Sequence, residues 1–147
     1  MYCCPACPHA AARIKGGAEA PNLTGEVRFY QECGAVLVVA DISGMPSSET
    51  GFFALHIHDG GACGSEGFAQ TKGHYNPGGS VHPHHAGDLP PLMRWGDRAF
   101  LAVRTDRFCV QEIIGKTVVI HDSPDDFHSQ PAGNAGSKIA CGEICKR

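Results

Sequence analysis

Six of the chain's nine histidines fall between Leu55 and Leu89: His56, His58, His74, His82, His84 and His85, with Asp88 closing the run. Their setting limits what the chain can fold into. From Asp59 to Asp97 no long strand pattern appears. Loops of that length without secondary structure of their own are uncommon, and are usually functional or disordered. Histidine is the commonest metal ligand, and such density rarely serves packing. The fold must therefore carry a long Gly/Pro-rich loop that bound metal and a covalent bridge can order.

On either side of that loop the hydrophobic period is two. Glu26–Gln31 sets Val27 and Phe29 against Glu26, Arg28 and Tyr30, the pattern of a half-buried strand. Glu32-Cys-Gly34 reads as a hairpin turn into the Val-rich run Ala35–Ile42. Further strands are predicted at Ala11–Lys15, Phe52–His58, Arg98–Arg104, Lys116–His121 and Ser137–Ile144. No segment has a helical period over eleven or more residues, so the pattern predicts an all-β sandwich or barrel.

The chain's 147 residues suit one domain with a sizeable core. The organisation read from the sequence is a cysteine-rich tail over 1–10 and a folded domain over 11–147. A net charge of -3 gives no basic footprint for nucleic acid. No apolar run reaches the length of a membrane span. The first residues lack the charged and apolar regions of a signal peptide, which favours the cytoplasm. The eight cysteines favour an exported, oxidising setting instead. The cytoplasmic reading is taken here, with export as the alternative.

His56 and His58 stand two apart on a predicted strand, so both imidazoles leave the same face. Two histidines on a solvated face would read the same way. His74, His82, His85 and Asp88 add three imidazoles and a carboxylate, a four-coordinate set that suits zinc. His121 ends a strand and precedes Asp122, Asp125 and Asp126.

The runs Leu55-His-Ile-His58, Gly73-His-Tyr-Asn-Pro77, His82, His85-Ala-Gly-Asp-Leu89, Gly115–His121, Pro124-Asp-Asp126 and Gly133–Gly142 together resemble the copper/zinc superoxide dismutase family, collinearly from about Ala11 to Ile144. The resemblance implies an eight-stranded Greek-key β-barrel with long metal-binding and active-site loops. It implies copper held by His56, His58, His74 and His121. It implies zinc held by His74, His82, His85 and Asp88, with His74 shared by both ions. Asp125 would hydrogen-bond His56 and His82, and Cys63 would be bridged to Cys141. The implied activity is dismutation of superoxide to dioxygen and hydrogen peroxide by copper cycling between Cu(II) and Cu(I) beside a structural zinc, an antioxidant function. His74 would carry a proton between the two half-reactions.

The chain also departs from the family pattern. An arginine that guides the substrate anion in many members is Lys138 here, which keeps the charge and loses the planar fork of donors. The stretch Asp122–Gly136 contains no Lys or Arg, and Lys72 is a candidate substitute. Cys109 is expected to be buried, His84 solvated, and His9 and His128 at the surface. Trp95 and Phe100 are expected in an exposed apolar patch, a region that contributes to dimer contacts in bacterial relatives, so a homodimer is a candidate partner. The tail's Cys4-Pro-Ala-Cys7 could capture copper, or its thiols are incidental. The alternative function is a copper/zinc buffer or donor with weak turnover. A zinc hydrolase fits less well, because its zinc would need an open position.

Overall fold

A computed structural model describes residues 7–147. Among them nine strands, all paired antiparallel, form one sheet. They are β1 (Ala10–Gly16), β2 (Thr24–Glu32), β3 (Ala35–Ser43), β4 (Phe52–Phe53), β5 (Leu55–His58), β6 (Leu92–Trp95), β7 (Arg98–Thr105), β8 (Thr117–His121) and β9 (Lys138–Lys146). The spatial order is β4-β6-β7-β3-β2-β1-β9-β8-β5. The two strands at the ends of that order are separated along the chain by Ala54 alone, so the sheet curls nearly into a closed barrel.

The alternating strands behave as their period requires. Val27 and Phe29 of β2 and Val36, Val38, Ala40 and Ile42 of β3 are fully buried, while the residues between them face outward. Leu55 and Ile57 of β5 and Val118 and Ile120 of β8 complete the same core.

Three differences from the predicted elements matter for the site. The run Phe52–His58 is two strands rather than one. The Ala54 N–H donates to Ser123 O and its carbonyl accepts from the His121 N–H, at 2.9 and 3.0 Å. This diverts β5 from β4's partner, β6, to β8. The four-residue β6 lies inside the stretch read as strandless; it is too short to show a period. Cys109 is exposed, not buried. It precedes a one-turn helix, α1 (Val110–Ile113), which buries Val110 and Ile113 instead.

The long loop is ordered along β5. Ile57 donates to Gly87 O and accepts from the Tyr75 N–H, at 2.9 and 2.8 Å. Isolated bridges pair His56 with Asp88 and His58 with His74. The outer edge of β5 is thus covered by the loop that brings the remaining histidines. Within it, Glu66–Thr71 forms a short 3-10 turn. A Cys63–Cys141 disulfide ties the loop to β9 across 78 residues of sequence.

Candidate metal centre

All four residues of β5 are buried: Leu55 and Ile57 into the barrel, His56 and His58 under the loop. His121 joins them from the end of β8. Here β9 skips one residue, so Ile120 faces Ala140 while His121 faces Lys138. Such a bulge re-aims side chains, and it sets Lys138 directly beside His121.

The His74 ring is the centre of the cluster. Its centroid lies 4.0 Å from that of His56, 5.0 Å from His58 and 6.3 Å from His121 on one side, and 5.5 Å from His82 and 5.3 Å from His85 on the other. Two donor sets result, His56, His58, His74 and His121, and His74, His82, His85 and Asp88, with the ligand atoms of each within 4.8 Å of one another.

Each set can be tested for fit to an ion. In the second, His74 Nδ1 is 2.7 Å from Asp88 Oδ1 and 3.3 Å from His85 Nδ1, and His82 Nδ1 is 3.0 Å from Asp88 Oδ2. A tetrahedral zinc with bonds of about 2.05 Å has ligand–ligand edges of about 3.3 Å, close to these separations. In the first set, His58 Nε2 and His121 Nε2 face each other at 3.3 Å. His56 Nδ1 and His74 Nε2 are buried nitrogens without a hydrogen-bond partner. Orphaned buried polar atoms are rare and call for a bound group. The donor sets fit metal, and they fit two ions sharing His74.

The far nitrogens of the ligand candidates are tied to the protein. His56 Nε2 and His82 Nε2 each lie 2.8 Å from one oxygen of Asp125. His58 Nδ1 lies 2.8 Å from Lys72 O, and His121 Nδ1 lies 3.3 Å from Gly136 O. Such partners fix ring orientation and the nitrogen that faces inward. Gly133 backs the Asp125 bridge so closely that a Cβ there would clash with Asp125 Oδ1. One nitrogen of Arg107 donates to the carbonyls of Pro83, His85 and Asp88, at 2.9, 3.2 and 3.3 Å, clamping the loop around His85.

Burial sets the charge of these groups. It lowers the His58 pKa to about 2 and that of His121 to about 3, and it lowers that of His56 as well, so all three are neutral, as ligands must be. Burial raises the Asp125 carboxyl, but the hydrogen bonds from His56, His82 and the Phe127 N–H outweigh it and hold the group well below the carboxylate range. For Asp88, too, the His74 hydrogen bond and the nearby imidazoles outweigh burial, and its pKa is lowered.

Lys138 is half-buried, and burial lowers its pKa. Its Nζ donates to Thr71 Oγ1 at 2.8 Å and to Lys72 O at 2.9 Å. Lys72 contributes its carbonyl; the residue itself is exposed, with φ of +61°. Thr71, Arg107, the close packing of Gly133 on Asp125 and the carbonyls of Lys72 and Gly136 are not legible in the sequence. Backbone carbonyls carry no residue signal, and Thr71 lacks the chemistry that singles out a ligand.

His84 is exposed, as is His128. His9 is half-buried rather than free at the surface, because its Nδ1 accepts the Gln31 N–H at 3.0 Å. Of the tail thiols, Cys7 is exposed. The copper-capture reading of Cys4-Pro-Ala-Cys7 needs Cys4, which lies outside the described residues. No helix among the described residues is long and apolar enough to cross a membrane.

Comparison with known proteins agrees with this geometry. The family model described as copper/zinc superoxide dismutase (SODC) matches residues 23–144. "Superoxide dismutase [Cu-Zn] 2" of Aquifex aeolicus (strain VF5) is 34% identical over 89% of this chain and 86% of its own. "Superoxide dismutase [Cu-Zn] 1" of the same organism is 34% identical over 91% and 89%. "Superoxide dismutase [Cu-Zn]" of Legionella pneumophila is 31% identical over 84% and 79%. With two donor sets meeting at one imidazole on a β-barrel, the chain belongs to the copper/zinc superoxide dismutase family.

Proposed function

We propose that the protein converts two superoxide anions and two protons to dioxygen and hydrogen peroxide, with copper held by His56, His58, His74 and His121 and zinc by His74, His82, His85 and Asp88. One observation supports this reading above the others. His74 offers Nδ1 to the Asp88 side and a buried, unpartnered Nε2 to the His56 side. Copper, when bound, supplies a one-electron couple that zinc lacks. The remaining work is done by the chain. Asp125 and the carbonyls of Lys72 and Gly136 hold the rings in place. His74 Nε2 holds and returns a proton between half-reactions. Lys138 draws the anion in through its positive charge.

Metal content together with superoxide consumption tests the reading. Rapid consumption by doubly loaded protein, abolished in His121→Ala, supports it. Full copper occupancy without turnover would support the metal-buffer alternative instead.

The folded domain is read as 11–147, with β1 reaching one residue further, to the buried Ala10. A homodimer is proposed through the outward face of β6 and β7, where Met93, Trp95 and Phe100 are each more than half exposed; a monomeric mass in sedimentation would remove it. For the compartment, the Cys63–Cys141 bridge supports an oxidising location over the cytoplasmic one, and cell fractionation distinguishes them.

A further inference from the structure

We infer that Thr71 is a positioning residue for the substrate anion, aiming Lys138 where the family's arginine would aim itself. The inference rests on the reading of Lys138 as the anion-guiding group. Arginine carries a rigid fork of donors, whereas a lysine ammonium is a point charge with three donors on a flexible stem. A lysine in this position therefore needs outside help to present one donor in a fixed direction.

The structure provides that help from the long loop. Thr71 is fully buried, and its hydroxyl donates to Phe68 O at 2.7 Å. With its proton so committed, Oγ1 turns a lone pair to Lys138 Nζ, 2.8 Å away. Lys72, at φ of +61°, turns its carbonyl to the same Nζ at 2.9 Å. Two of the three N–H groups are thereby fixed, and the third is left for an anion.

The same Lys72 carbonyl lies 2.8 Å from His58 Nδ1. Lys138 and a ligand of the copper-side set thus share one acceptor, so ammonium and imidazole keep a constant relation. The skipped residue in β9 places Lys138 opposite His121. The bridge at Cys141, three residues further on, ties the same strand to the loop that carries Thr71.

The test compares wild type, Thr71→Val, Thr71→Ser and Lys138→Met, all loaded with copper and zinc. Azide binding is followed by the visible absorption of copper, and the superoxide rate constant is measured against ionic strength. Thr71→Val is expected to weaken azide binding about tenfold, the loss of one hydrogen bond to a charged group. It should keep full metal content and the wild-type slope with ionic strength, because the charge remains. Thr71→Ser should restore azide affinity, and Lys138→Met should flatten the slope. Wild-type azide affinity in Thr71→Val, failure of Ser to restore it, or loss of metal in Thr71→Val each overturns the positioning role. If Lys138→Met keeps both the slope and the azide affinity, the anion-guiding reading falls, and this inference with it.

Discussion

Replacing Asp125 with asparagine should separate the two metal sets. The side chain is buried, and its two oxygens accept from His56 Nε2 and His82 Nε2, both at 2.8 Å. Oδ1 also accepts the Phe127 N–H at 2.7 Å. Asparagine has nearly the same shape, which matters because Gly133 leaves no room for an added atom. It keeps one acceptor oxygen, and the side with two donors, His82 and Phe127, takes it. The amide NH2 then meets the His56 Nε2–H, donor against donor. His56 can relieve this only by moving its proton to Nδ1, the buried, unpartnered nitrogen that the proposed copper set would use. A hydrogen bond to a charged group contributes about 1.5–3 kcal/mol. At about 1.4 kcal/mol per tenfold, copper affinity should fall by about 10–100-fold, the range seen when such outer partners are removed. Zinc affinity should fall less, because His82 keeps its acceptor. Separate chelator competition titrations for copper and zinc measure both. Unchanged copper affinity, or a larger loss for zinc than for copper, would refute the reasoning.

Lys138→Arg should keep or raise the superoxide rate and Lys138→Glu should lower it strongly at low salt; equal rates for wild type and the glutamate variant would remove the steering role. The double variant Cys63→Ser/Cys141→Ser releases a loop of 78 residues, which on the chain-entropy account costs about 4.5 kcal/mol. Denaturant unfolding reads this directly, and a loss below about 1 kcal/mol would contradict the chain-entropy account for this bridge. Metal-free protein should lose stability as pH falls below 6.5. Burial lowers the folded pKa values of His58 to about 2 and His121 to about 3, so the unfolded chain binds more protons across that window. Each imidazole then removes up to about 1.4 kcal/mol per pH unit until its folded pKa is reached. A denaturation midpoint that stays flat from pH 6.5 to pH 4 would contradict this.

Much of the fold and of the donor chemistry was legible in the residues alone. Period-two patterning marked β2 and β3 because each buries one face, and that parity also put His56 and His58 on one side of β5. The four imidazoles and the Asp88 set stood out because few other side chains bind metal. Tertiary structure decided the rest. The break at Ala54 and the skipped residue opposite His121 come from pairing with distant strands, which leaves no local trace. The exposure of Cys109 has no local trace either; it stands at the start of α1, whose buried residues are Val110 and Ile113. The carbonyls of Lys72 and Gly136 and the hydroxyl of Thr71 reach the site only because the loop folds back along β5. A side chain's chemistry is written at its own position, but its partner's distance is set by the path of the whole chain. The sequence could therefore name the groups, and only the folded barrel could bring them to one imidazole.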